Sequence, residues 1–194
     1  AGNAPPSAQN DAWQLSEQVV MECCGDKYDS AGCGGGGVSG PMQCAVDMGV
    51  LMSRVAFPYQ ASTTNTTCAY SATQAAAAVT SWHEPCANGD EACVKTYIGG
   101  DTCSDFHTLA LKTSIEVINS FYSYSSGVYS DPACPTDIHN HAVAIVGWGT
   151  DEASGKDYWL VRNSWGADWG EDGYFKMERG TNMCCVGCEN LFFQ

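Results

Sequence analysis

In the last third of the chain, apolar and polar residues alternate in short blocks at 114–118, 141–146, 158–162 and 174–177, separated by glycine-rich turns. A period of two between turns predicts strands of an antiparallel sheet. The first third has another rhythm. Ser16 stands as an N-cap before Glu17-Gln18-Val19-Val20-Met21, which predicts a short helix ending at Cys23-Cys24-Gly25. Met42, Ala45, Val46 and Val50 or Leu51 recur near the helical period and predict a second helix within 41–53. Between them, Gly32-Cys33-Gly34-Gly35-Gly36-Gly37 is a loop, because adjacent glycines lose too much backbone entropy in a regular element. Phe57-Pro58-Tyr59 turns the chain. Residues 60–106 are rich in Thr, Ala and Gly and hold Cys68, Cys86, Cys93 and Cys103, which predicts a long crosslinked connection with a short helix around Ala75 to Val79. Helices first and strands second make an α+β arrangement in two lobes, 1–110 and 111–194.

Composition narrows the setting. Twelve cysteines in 194 residues imply disulfides formed in a secretory, lysosomal or extracellular compartment. Zinc sites fit less well, because no repeated C-x-x-C pair is present and only four histidines could add ligands. The formal charge of -14 repels phosphate backbones and anionic membranes, so nucleic acid is excluded as a partner. No run approaches the ~18 apolar residues that a membrane span requires. The opening Ala-Gly-Asn-Ala-Pro-Pro has neither the charged nor the apolar part of a signal peptide, so the chain reads as already processed. Asn65-Thr66-Thr67 is an N-glycosylation acceptor pattern.

His141 opens one predicted strand, Asn163 ends another, and Trp165 follows two residues later. A histidine base needs a partner at its second ring nitrogen to hold tautomer and orientation. An asparagine amide provides this without a second charge, which suits a thiolate–imidazolium pair. Trp165 is placed to shield that contact from water. On residue chemistry alone, the alternative that His141 is a satisfied polar residue at a sheet edge stays open. His139 shares a strand face with His141, but no third ligand has suitable spacing, so neither metal nor cofactor is expected.

Several local motifs stand in one order along the chain. They are Leu15-Ser16-Glu17-Gln18 with Cys23, Gly32-Cys33-Gly34-Gly35, Ser125-Ser126-Gly127-Val128-Tyr129, and Asn140-His141-Ala142-Val143 with Gly147-Trp148-Gly149. Tyr158-Trp159 through Asn163-Ser164-Trp165-Gly166, then Trp169-Gly170-Glu171-Asp172-Gly173-Tyr174 and Thr181-Asn182-Met183-Cys184, complete the set. Together they resemble the papain-like cysteine peptidases, the cathepsin family, and the vicinal Cys23-Cys24-Gly25 resembles the cathepsin B-like members. The resemblance implies a two-lobed papain-like fold in which the helical lobe is partial. It implies His141 as general base, Asn163 as its orienter, Trp165 as their cover, and Gly35 or Gly36, Ala142 and Glu189 as substrate-contacting positions. It also implies Cys23–Cys68 and Cys134–Cys184 disulfides, and a partner for Cys33 beside the nucleophile, outside this chain. Cys24–Cys44 and Cys86–Cys93 are local expectations.

The family's nucleophile signature, Cys-Gly-Ser-Cys-Trp, is absent. Members place the nucleophile roughly 130–150 residues before the histidine, a window that ends near position 11 and contains no cysteine. Cys23 and Cys24 stand where members have structural cystines. Two expectations follow: a heavy chain whose thiolate comes from a light chain or N-terminal segment, or a pseudoenzyme that binds or scaffolds. The first also implies peptide or protein substrates, a propeptide or cystatin-like inhibitor as further partner, and a lysosomal, acidic vacuolar or secreted location. Glu189 stands five residues after Cys184, where in cathepsin B-like enzymes an acid accepts basic side chains. Residues 60–106 hold His83 alone and no His-His pair, so endopeptidase action is expected over dipeptide trimming. Glu189-Asn190-Leu191-Phe192-Phe193-Gln194 reads either as an appended protease-cleavage tag or as the native last strand.

Overall fold

The computed structural model describes residues 14–62, 68–99 and 110–194. Asn65 and Cys103 lie outside the described residues. The chain divides into two compact units, one of residues 1–82 with Phe193 and Gln194, the other of residues 83–192. The sequence-based division at 110/111 differs because residues 83–99 pack on the sheet core, with Val94 and Ile98 buried there.

In the first unit, helix α1 (Glu17–Cys23) starts at Ser16, whose hydroxyl accepts from the Val19 N–H at 3.1 Å and donates to Phe57 O at 2.7 Å. Gln18 is fully buried yet satisfied, donating to Glu22 and Ser62 O and accepting from the Gln60 N–H. Helix α2 (Ser39–Met48) is shorter than the apolar spacing predicts. Gly49 closes it in the left-handed conformation, and Val50 and Leu51 instead begin strand β1 (Val50–Met52). Ala75 to Val79 is likewise no helix. Strand β2 (Ala75–Ala78) pairs antiparallel with β1, so tertiary pairing overrides the helix preference of an alanine run too short to sustain one. Cys23–Cys68 and Cys24–Cys44 join these segments.

After β3 (Trp82–His83), the connection forms helix α3 (Glu91–Tyr97), capped by Asp90 and tied through Cys93 to Cys86 of the segment before it. No apolar period announces it, because a single buried valine, Val94, anchors its seven residues. The remaining elements are β4 (Leu111–Ile115), α4 (Asn119–Tyr122), β5 (Val128–Tyr129), β6 (His141–Thr150), β7 (Asp157–Arg162), β8 (Tyr174–Glu178) and β9 (Cys188–Phe193). The sheet order is β3-β9-β4-β6-β7-β8-β5. Its described ladders are antiparallel except the parallel pair β5–β8. Leu111, Ile115, Ile145, Trp159, Val161, Phe175 and Met177 form a fully buried centre. Leu191 and Asn190 of β9 are also buried, so the terminal segment is part of this fold. Cys134–Cys184 and Cys185–Cys188 crosslink the loops before β6 and before β9.

Glu91 ties α3 to the turn after β8. Its carboxylate accepts from Trp159 Nε1 at 2.6 Å, Gly180 N at 2.9 Å and Asn182 N at 2.5 Å. Replacing Glu91 with Ala leaves these donors without their acceptor and should lower unfolding free energy by about 2–4 kcal/mol in a urea titration. Glu91→Gln, which keeps one acceptor oxygen, should cost clearly less.

Candidate active site

His141 is the first residue of β6, opposite Ile115 of β4. Asn163 follows the last residue of β7, and its N–H donates to Gly173 O at 2.9 Å. The β6–β7 ladder brings the two side chains together, with His141 Nε2 2.9 Å from Asn163 Oδ1. The same Oδ1 accepts from the Ser164 N–H at 2.8 Å, which identifies it as the amide oxygen. An oxygen without a proton requires Nε2 to donate. Nδ1 of the neutral ring is then the acceptor, free to exchange a proton with a reacting group.

Trp165 lies beside this contact, its ring 5.2 Å from that of His141. Tyr122 stacks on Trp165 at 5.3 Å and 4°, while Trp169 and Phe121 meet it edge-on at 4.9 and 5.7 Å. This aromatic wall holds the indole over the His–Asn pair and keeps Asn163, 8% exposed, out of bulk water. Glu171 braces the wall from behind by accepting from Gly127 N at 2.8 Å and Tyr124 Oη at 3.2 Å. Burial pushes the Tyr124 phenol well above its usual range, so it remains a neutral donor. Val117, Tyr122, Asn140, His141 and Trp165 line a cleft of about 290 Å³. Tyr122 carries no sequence signal, because its role comes from stacking between elements.

Ala142 is exposed next to His141 and pairs with Ser114. Glu189 faces Lys112, Ser114 and His139, with its Oε2 at 3.1, 2.8 and 3.3 Å from their polar atoms. His139 is thus held by a carboxylate, and among the described residues no group of three or more His, Cys, Asp or Glu is arranged for a metal ion.

In the first unit, Gly35 and Gly36 are both exposed. Ala31 N bonds Gly35 O and Gly37 N bonds Asp29 O, which makes Ser30 and Gly36 a non-hydrogen-bonded antiparallel pair. The Gly36 N–H and C=O consequently point outward from the loop. Its φ is 151°, and a Cβ there would collide with the Asp29 carbonyl, so only glycine fits. Cys33 is exposed and free, and the other ten described cysteines, Cys23 and Cys24 among them, are in disulfides.

Residues 5–192 match the family "Papain family cysteine protease". Thiol protease aleurain of Arabidopsis thaliana is 39% identical over 175 residues, covering 89% of this chain and 45% of the relative. Cathepsin S of Mus musculus is 36% identical over 177 residues, covering 88% and 47%. The chain therefore spans about half the length of the curated relatives it matches. Among solved structures, digestive procathepsin L 3 of Tenebrio molitor larval midgut superposes with a TM-score of 0.81 at 29% identity, covering 93% of this chain and 55% of that one. Bromelain from Ananas comosus, solved with the E64 inhibitor, superposes with a TM-score of 0.77 at 27% identity, covering 93% and 78%. The α+β architecture is the papain-like fold, and the chain belongs to the papain family of cysteine proteases.

Proposed function

We propose that this chain is the heavy-chain part of a cysteine endopeptidase, processed in the manner of cathepsin B-like enzymes, whose thiolate is supplied by a light chain or N-terminal segment outside residues 1–194. The observation that carries the reading is the oriented His141, with Nε2 bound to Asn163 Oδ1 and Nδ1 left as the proton-accepting atom. Ten described cysteines are in disulfides, and Cys33 is free in the glycine loop, where the family resemblance implies a disulfide partner outside this chain rather than a nucleophile. Leu15, Val55 and Tyr59 of the first unit are exposed at 39%, 61% and 46%, which fits a unit that packs against a further segment.

The chemistry follows from those atoms. The thiol proton passes to His141 Nδ1, and the thiolate attacks the peptide carbonyl carbon. As the tetrahedral adduct collapses, His141 gives that proton to the departing amine and a thioester remains. Nδ1 then takes a proton from water, the hydroxyl adds to the thioester, and the thiolate leaves with the carboxylic acid product released. Asn163 holds the imidazole in the productive orientation throughout, and Trp165 limits competition from water. Gly36 offers its outward N–H and C=O to an extended peptide, which binds as an added strand. Ala142 and Glu189 border the substrate near His141. Cys33 is the tether to the light segment. A propeptide or cystatin-like inhibitor occupies the substrate site before or after activation, and the disulfide-dense, acidic chain works in a lysosomal, vacuolar or secreted setting, with Asn65 as its glycan acceptor.

In the assembled enzyme, His141→Ala should reduce peptide hydrolysis by on the order of 10²–10⁴-fold or more, since it removes the general acid–base. Unchanged turnover in that variant, or inertness of the assembled wild type toward thiol-directed inhibitors, would favour a pseudoenzyme that binds or scaffolds. Asn163→Ala removes the hydrogen bond that orients His141, worth ~1 kcal/mol, and should slow turnover by about fivefold to tenfold.

Intact-mass measurement should reveal a cysteine-containing peptide released on reduction. Cys33→Ser should leave that peptide uncoupled before reduction, and a tether that persists in Cys33→Ser would assign the link to another cysteine.

A further inference from the structure

Glu189 occupies a β-bulge. Strand β4 advances from Lys112 to Ser114 while β9 advances from Leu191 back to Cys188, so β9 carries one residue more than its partner. Glu189 takes the left-handed conformation there, at φ 51°. Two donors converge on its Oε2, Ser114 Oγ at 2.8 Å and Lys112 Nζ at 3.1 Å, and His139 Nε2 lies 3.3 Å from it. Lys112 Nζ also donates to Ser114 Oγ at 2.8 Å, closing a triangle. The lysine side chain is 18% exposed and the Glu189 side chain 38%. This ion pair is therefore partly withdrawn from solvent, where opposite charges interact far more strongly than at an open surface.

The cluster lies close to the reacting end of the sheet. Ser114 pairs with Cys188 on one side and with Ala142 on the other, while Ile115, the next residue of β4, pairs with His141. Resting on the proposed peptidase reading, a substrate side chain beside Glu189 meets a carboxylate whose charge Lys112 has already cancelled. Glu84 adds a weaker negative charge near Lys112.

We propose that Lys112 is a specificity-determining residue: by neutralising Glu189 it removes the reward for a basic substrate side chain and selects neutral side chains at this position. Glu189 Oε1 has no donor among the described residues and can accept from a neutral amide or hydroxyl, but the charge that would bind Arg or Lys is spent on Lys112. Two opposing effects act on the lysine. Burial pulls its pKa down, and the Glu189 carboxylate acts to restore it. Burial pushes Glu189 up, but the hydrogen bonds from Ser114 and Lys112 with the charges of Lys112 and His139 outweigh it and hold the carboxyl below its usual value.

The test compares peptide substrates that differ only in the side chain facing Glu189, as Arg, Leu or Gln, with the assembled enzyme. Wild type should show kcat/KM for Arg no greater than for Leu or Gln. Lys112→Met should raise the Arg-to-Leu ratio on the order of tenfold or more, the worth of a charge-assisted contact. Lys112→Arg should keep the wild-type ratio, and adding Glu189→Gln to Lys112→Met should abolish the gain. A wild-type preference for Arg, or a ratio unmoved by Lys112→Met in folded enzyme, overturns the proposal. Failure of the wild type to cleave any peptide would instead count against the peptidase reading.

Discussion

Strand β6 belongs to two ladders at once, and its register in both sets the geometry of the site. Against β4 it runs from Leu111 opposite Ile145 to Ile115 opposite His141, and against β7 from Ala144 opposite Arg162 to Thr150 opposite Asp157. A slip of one residue would turn buried Val143 and Ile145 toward solvent, so the core itself holds the register. That same register delivers His141 and Asn163 to hydrogen-bond distance although 22 residues separate them. The orientation of the imidazole is thus a by-product of hydrophobic burial, finished by one polar contact and an aromatic cover.

Carboxylates fasten the segments that the sheet does not. Among the 22 acidic residues, Glu91, Glu171 and Glu189 each gather several donors from distant parts of the chain. Glu91 joins α3 to Trp159 and the 180–182 turn, Glu171 joins the 124–127 turn to the region of the aromatic wall, and Glu189 joins β9 to β4 and His139. Each satisfies groups whose desolvation would otherwise oppose folding. The disulfides work at the same places, with Cys134–Cys184 and Cys185–Cys188 bracketing the turn that leads to β9.

The His141–Asn163 contact and the Trp165 cluster beside it are assembled within one unit. The imidazole is oriented entirely by β4, β6, β7 and the Trp165 cluster, all within residues 111–175.

Local chemistry is legible in the amino-acid sequence by itself. Ser16 as a cap, the glycine loop, the alternating strands and the order of motifs around His141 and Asn163 all depend on neighbours a few residues apart. Elements whose state depends on distant partners are not legible in this way. Residues 75–78 have the composition of a helix but form a strand because β1 offers a ladder, and α3 rests on one buried valine and a carboxylate reaching Trp159. Glu189 gives the sharpest contrast. The cathepsin B-like resemblance leads to the expectation that it contacts substrate and accepts basic side chains. Only the bulge between β4 and β9 decides that Lys112, 77 residues away, stands against it. A one-dimensional pattern records which charges exist, but the field at any point depends on which of them the folded chain brings together.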